Sequence, residues 1–218
     1  MPVDFKLYLI TDRKQVTMPL VAAVRLALEG GVRSVQLREK DLPVRELISL
    51  SQEMRNLTNE FGARLFINDR VDVAVAVNAD GVHLGHQSMP VEAVRPVVGN
   101  SMLIGVSTHN VAEAKAAEDG GADFITFGPI FATPSKDKYG NPVGIDILKS
   151  LKNEINIPFF ALGGIKSGNI KQVLAAGATG VAMISAILAA DDIRKVSSKL
   201  IEEIKLSDKI ICDSCSPS

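Results

Sequence analysis

One pattern recurs along this chain and limits its fold more than any other feature. A short apolar run rich in β-branched residues leads into a turn, then into a stretch of helical periodicity, and then the pattern starts again. The runs that qualify as strands are LYLIT (7–11), SVQLRE (34–39), RLFIN (64–68), GVHL (81–84), MLIGVS (102–107), FITFG (124–128), PFFALG (158–163) and GVAMIS (180–185). The clearest helical stretches between and after them are MPLVAAVRLALEGG, PVRELISLSQEMRNLTNEFG, MPVEAVRPVVG, NVAEAKAAEDGG, NIKQVLAAG and DDIRKVSSKLIEEI. Most close on glycine, which takes the left-handed conformation past a helix end at little cost. VDVAVAVNA (71–79) alternates its apolar residues and so also suits a strand; its alanine content and the GVHL that follows favour a two-turn helix.

Eight such units within 218 residues are the count of a (β/α)8, or TIM, barrel. The competing architecture is an open doubly wound sheet. Its first strand would lead into a glycine-rich phosphate turn, whereas LYLIT runs into DRKQ with no glycine. Gln36, Arg38, Asn68, Asp69, His83 and Ser107 fall in the middle or at the C-terminal ends of strands. In a barrel those ends meet at one mouth. The barrel is expected to occupy residues 1–206 as a single catalytic domain, with 207–218 a polar, disordered tail.

Composition narrows the function. Charged residues make up 22% of the chain and the net charge is −1, so no basic excess favours nucleic acid or an anionic membrane. The N-terminus is short and charged for a signal peptide, and no apolar run approaches the ~18 residues of a membrane span. A soluble, cytoplasmic protein is expected, with homo-oligomer formation left open. Cys212 and Cys215 form a C-x-x-C in CDSCSPS, half of a zinc site with no second half in the chain.

The mouth carries the chemistry. Strand alternation puts Gln36, Arg38 and Lys40 on one face and Leu37 and Glu39 on the other. Cations held together in a low-dielectric bowl need an anionic partner. That partner is either an internal carboxylate or a ligand phosphate, and the near-zero net charge points to the phosphate. Asn68 and Asp69 end the third strand, where they suit a ligand and a metal, or equally the N-cap of the next helix. The loop GPIFATPSKDKYGNPVG (128–144) is long for its place and suits a substrate loop, with Thr133, Ser135 and Lys136 well matched to phosphate. Gly163 and Gly164 allow backbone N–H groups to approach an anion, and Ile184–Ser185 opens a short helix. These are the two loops with which TIM barrels often hold phosphate. Two anion sites at one mouth suit a reaction between phosphorylated molecules.

In order and spacing, YLITDR, QLREK, INDR, DGVHLG, GVSTHN, GPIFATPSK, ALGGI and VAMISAI resemble thiamine-phosphate synthases. The resemblance covers roughly residues 7–205. It implies a Mg²⁺-dependent transferase that couples a hydroxymethylpyrimidine diphosphate to a thiazole phosphate, or its carboxylated form, by a dissociative route. Arg38, Lys40 and Lys136 would be catalytic. Gln36, Asn68 and Ser107 would join them on the pyrimidine diphosphate, and Thr133, Ser135, Gly163, Gly164, Ile184 and Ser185 would hold the thiazole phosphate. Asp69 would ligate Mg²⁺. After HLG the family usually runs Gln-acid-Asp, the Asp being a second metal ligand; here the run is His86-Gln87-Ser88, so Ser88 stands at the metal position. The related thiazole tautomerases often lack that Asp and use a histidine near the fifth strand, where His109 falls. Synthases also carry a histidine there, so His109 is counted with the substrate-binding residues. The Asn68-Asp69 pair and the T-x-S-K loop favour the synthase over the tautomerase, and Arg38, Lys40, Asp69 and Lys136 favour it over a regulatory paralogue without turnover. His83 and His86, although spaced H-x-x-H, are expected to be a packed barrel residue and a rim residue, because three steps along a strand reverse the face.

Overall fold

A computed structural model of the protein describes residues 2–132 and 142–215, with side chains as far as Ile210 in the last helix. Eight parallel strands close into a barrel in sequential order, β8 pairing with β1. They are β1 (Leu7–Ile10), β2 (Ser34–Leu37), β3 (Arg64–Asn68), β4 (Gly81–Leu84), β5 (Leu103–Thr108), β6 (Phe124–Phe127), β7 (Phe159–Leu162) and β8 (Gly180–Met183). The helices that alternate with them are α1 (Leu20–Glu29), α2 (Val44–Glu60), α3 (Val71–Ala76), α4 (Val91–Val98), α5 (Val111–Asp119), α6 (Asp146–Glu154) and α7 (Ile170–Ala175). The short α8 (Ser185–Leu188) and the long α9 (Ile193–Cys215) follow β8. The ambiguous stretch at 71 is the helix α3. The periodicity above singles out no helix between 144 and 155; α6 forms there, burying Leu148 and Leu151. The helix α9 runs nine residues past the boundary expected at 206, so the C-x-x-C lies within a helical span and not in a disordered tail.

Strand alternation sorts the side chains into two cores. Leu7, Leu9, Val35, Leu37, Leu65, Ile67, Val82, Ile125, Ala161 and Val181 face outward and are sealed by the helix layer. Phe5, Tyr8, Ile10, Phe66, Leu103, Phe124, Phe160 and Ala182 face the lumen. The rings of Phe5, Tyr8, Phe66, Phe124 and Phe160 meet mostly tilted or edge to face, with centroids 4.9–6.0 Å apart. Room for them comes from lumen positions without a side chain. A Cβ at Gly105 would lie 2.4 Å from the Phe124 ring and 2.6 Å from His83 Nδ1.

One device pins the strand entrances. The residue before β4, β6 and β8 donates its N–H to the preceding strand and accepts one back through its side chain. Asp80 bonds Leu65 both ways (2.8 and 2.8 Å), Asp123 bonds Ile104 (2.9 and 2.7 Å), and Thr179 bonds Phe159 (2.9 and 3.1 Å). Arg55 on α2 and Arg95 on α4 neutralise the two aspartates. These contacts lie at the end of the barrel opposite the strand C-termini, which leaves the other end for chemistry.

Candidate active site

The C-terminal strand ends carry a polar layer above the aromatic floor. Gln36, 1% exposed, donates from Nε2 to Tyr8 Oη at 3.2 Å. Tyr8 Oη lies 3.4 Å from His83 Nδ1, and His83 Nε2 lies 3.0 Å from Ser107 Oγ and 3.4 Å from Thr126 Oγ1. With the Gln36 amide donating to Tyr8, the phenol proton points to Nδ1. Nε2 then carries the imidazole proton and donates a hydrogen bond to Ser107 Oγ. Burial pushes the His83 imidazole down to about 3, and the Arg38 charge pushes the same way, so the ring stays neutral. His83 is thus a packed, hydrogen-bonded barrel residue, while His86 is exposed in the turn beyond β4.

Arg38 follows the last residue of β2 and is half-buried, close enough to the lumen for its charge to act on His83; Leu37 faces the helix layer. Lys40 is exposed two residues on. Among the described residues neither cation forms an ion pair. The carboxylates beside them are already taken: Glu39 by Arg13 (3.1 Å), and Asp41 by Arg13 (2.5 Å) and Lys14 (2.8 Å). Pairing with the neighbouring acids Glu39 and Asp41 therefore does not account for Arg38 and Lys40 among the described residues.

Asn68 ends β3 opposite His83 in the register. Asp69 adopts φ 65° while its N–H donates to the His83 carbonyl at 2.9 Å, so the chain turns outward there and leaves the carboxylate exposed at the rim. The capping alternative does not hold. The N-cap of α3 is Arg70, with no side-chain cap bond, and neither Asn68 nor Asp69 spends its side chain on a described residue. Ser88 closes the turn after β4, its Oγ accepting the Gly85 N–H at 2.7 Å. Among the described residues no group of three or more His, Cys, Asp and Glu is arranged to hold a metal. A rim carboxylate held in no hydrogen bond or ion pair among the described residues does fit Mg²⁺, which commonly binds through one or two carboxylates, substrate phosphates and water.

His109 sits at the start of α5, where Glu113 accepts its backbone N–H at 2.8 Å and lies 3.2 Å from its Nδ1. Asn110 caps the same helix. Thr133, Ser135 and Lys136 lie outside the described residues. The two ends of their loop come together: Val143 N–H donates to Pro129 (2.9 Å) and Gly144 N–H to Ile130 (3.2 Å).

Gly163 and Gly164 lie in the turn after β7 with φ 98° and 65°. Their first constraint is the β6 loop. Ile130 and Phe131 donate to the carbonyls of Leu162 (2.9 Å) and Gly163 (3.1 Å), and a Cβ on Gly164 would lie 2.7 Å from Phe131 Cβ and 2.9 Å from the Ala132 carbonyl. Bulk at 164 would thus displace the β6 loop as well as crowd an anion. Ser185 is exposed as the first residue of α8, and Ile184 packs against the lumen cluster. Thr11 and Glu39, both buried at this rim, carry no signal in strand alternation, which assigns Glu39 to the helix side; the clue was an acid between two cations.

A closed parallel barrel with cations, amides and hydroxyls gathered at its strand C-termini defines a TIM-barrel protein with its polar residues at the end where such barrels carry their active sites. The family model described as thiamine monophosphate synthase matches residues 7–187, and the chain belongs to that family. A relative from Geobacter sulfurreducens is 60% identical over 200 residues, covering 91% of this chain and 94% of its own. The thiamine-phosphate synthase of Clostridium novyi is 43% identical over 201 residues, covering 92% and 98%. Among solved structures, thiamine phosphate pyrophosphorylase from Pyrococcus furiosus superposes with a TM-score of 0.85 at 40% identity, covering 93% of this chain and 96% of that one.

Proposed function

We propose that the protein is a cytoplasmic transferase of thiamine biosynthesis, a thiamine-phosphate synthase. It joins 4-amino-2-methyl-5-hydroxymethylpyrimidine diphosphate to 4-methyl-5-hydroxyethylthiazole phosphate and releases thiamine phosphate and pyrophosphate. Family membership supports the reaction. The observation on this chain that carries it is the pair Arg38 and Lys40, set at the barrel mouth while the carboxylates next to them in sequence, Glu39 and Asp41, are already bound to Arg13 and Lys14.

In this reading the bond between the pyrimidine methylene carbon and the diphosphate oxygen breaks with both electrons leaving on pyrophosphate. Arg38, Lys40 and Lys136 stabilise that developing charge. The ring's amino group donates electrons into the methylene cation, and Gln36, Asn68 and Ser107 hold the pyrimidine diphosphate. The thiazole nitrogen then forms the new C–N bond, so no side-chain nucleophile is required. Thr133, Ser135 and the turns at 163–164 and 184–185 hold the thiazole phosphate. Asp69 would hold Mg²⁺ together with diphosphate oxygens, with Ser88 orienting a water, and the ion supplies further neutralisation of the leaving group when bound.

Expression in a bacterium lacking its own synthase tests the proposal. Growth without added thiamine is the expected outcome, with Arg38→Ala failing to support it. No growth despite soluble expression would count against the reading.

A further inference from the structure

Glu39 is 4% exposed at the rim, flanked in sequence by the two cations assigned to the diphosphate. A carboxylate is costly to bury, and an apolar residue would fill the same space more cheaply. All of its side-chain bonds go to one neighbour, the segment that follows β1. Oε1 accepts the Thr11 hydroxyl at 2.7 Å, both oxygens lie 3.2 Å from the Arg13 backbone N, and Oε2 accepts the Arg13 guanidinium at 3.1 Å.

Thr11, fully buried, connects this carboxylate to Arg38. Its N–H donates to the Gln36 carbonyl at 2.9 Å, the last rung between β1 and β2. Its Oγ1 accepts the Arg38 N–H at 2.9 Å, so the side chain extends the ladder one residue beyond the strand. Because Oγ1 gives its single proton to Glu39, its lone pairs are turned toward Arg38 N–H. On the far side, Leu42 N–H donates to the Glu39 carbonyl at 3.3 Å. The backbone carrying Arg38 and Lys40 is therefore tied before and after Glu39.

We propose that Glu39 is a positioning residue for the cationic pair Arg38 and Lys40, acting through the Thr11 hydroxyl as a clamp between the ends of β1 and β2. The clamp does two things. It fixes the backbone from which both cations reach the diphosphate, and it assigns Arg13 to the buried charge so that Arg38 is not drawn onto it. The proposal rests on the reading of Arg38 and Lys40 as diphosphate ligands.

Inorganic pyrophosphate at fixed magnesium is the probe, with the KM for the thiazole phosphate as the internal comparison. Thr11→Val removes the hydroxyl at constant shape, and Glu39→Gln removes the charge. Each is expected to raise the dissociation constant for pyrophosphate about tenfold, the scale of a ligand group displaced by a fraction of an ångström. The thiazole phosphate KM should stay within about twofold, since its subsite lies on other strands. Thr11→Ser, which keeps the hydroxyl, should restore pyrophosphate binding, and it carries the test with Thr11→Val if Glu39→Gln does not fold. Arg38→Ala and Lys40→Ala separate the two levels. If they weaken pyrophosphate binding while Thr11→Val and Glu39→Gln do not, the clamp is overturned and the diphosphate reading stands. If Arg38→Ala and Lys40→Ala also bind pyrophosphate like the wild type, both fall. Equal losses in pyrophosphate affinity and thiazole KM would likewise overturn positioning in favour of a general structural role.

Discussion

At the floor of the barrel Phe5, Tyr8, Phe66, Phe124 and Phe160 fill the lumen ring against ring. Nearer the mouth, Gln36, Asn68, His83 and Ser107 on β2 to β5 line it with amides, imidazole and hydroxyl. The floor largely satisfies itself: its rings pack on one another, and its charges, Arg55 with Asp80 and Arg95 with Asp123, are paired across the strand entrances, Arg55 Nε being left without a hydrogen bond among the described residues. The mouth does not. Arg38, Lys40, Asn68 and Asp69 stand there with no side-chain hydrogen bond or ion pair among the described residues. Strand geometry is common to both ends, so the difference lies in what is left unsatisfied, and unsatisfied groups at the mouth are what a phosphorylated substrate would complete. The layer from Gln36 through Tyr8 and His83 to Ser107 joins the two ends, with Tyr8 packed among the rings and Ser107 near the end of β5.

That contrast can be broken at either end. The largest effect belongs to the floor. Phe160→Ala should lose about 3–5 kcal/mol of stability, the usual cost of emptying a buried aromatic site. It is read as a lowered Tm, with kcat/KM of the folded fraction little changed. Next comes the mouth, with the opposite signature. Arg38→Ala should lose about 2–4 kcal/mol of transition-state stabilisation while Tm stays near wild type. Asp69→Asn should behave alike; asparagine tolerates the φ of 65° that alanine would not, so charge is removed without added strain. A large Tm loss in either variant would show that the mouth carries stability after all.

The joining layer gives a pH test. His83 is held neutral in the fold, its imidazole pushed down to about 3, so the unfolded chain binds more protons below its ordinary value near 6.5. The stability it contributes is complete above that value and is lost as pH falls from 6.5 toward 3, at up to about 1.4 kcal/mol per pH unit. His83→Gln should flatten the Tm profile between pH 6.5 and 5. An unchanged slope would mean that His83 is not the group being protonated. The smallest expected effect is at Ser88. Ser88→Asp should lower the Mg²⁺ concentration for half-maximal activity about tenfold, roughly 1.4 kcal/mol, since an acid there adds a hard oxygen ligand beside Asp69. No change would place Ser88 outside the metal's reach.

The barrel was legible because each strand repeats one pattern, with apolar residues facing the helix layer and glycine after most helices. The lumen-facing polar residues were legible too: Gln36, Arg38, His83 and Ser107 follow from alternation. What alternation missed are contacts made after a strand ends. Glu39 was assigned to the helix side, yet the chain bends beyond Leu37 and turns its carboxylate to Thr11 and Arg13. Gly163 and Gly164 read as phosphate-binding turns, but their nearest constraint is the β6 loop, a long-range contact that local sequence does not encode. Residues 146–154 form a helix that starts on Ile145 with no side-chain cap and ends on Ile155 rather than glycine, so neither boundary carries the signal that marks most of its neighbours.

The central claim is that the groups left open at the mouth serve the joining of two phosphorylated heterocycles. Purified protein incubated with the pyrimidine diphosphate, the thiazole phosphate and Mg²⁺ should release thiamine phosphate, detected by thiochrome fluorescence, and pyrophosphate in equal amounts. Interconversion of thiazole isomers without either product, or tight binding of one precursor with no turnover, would contradict it.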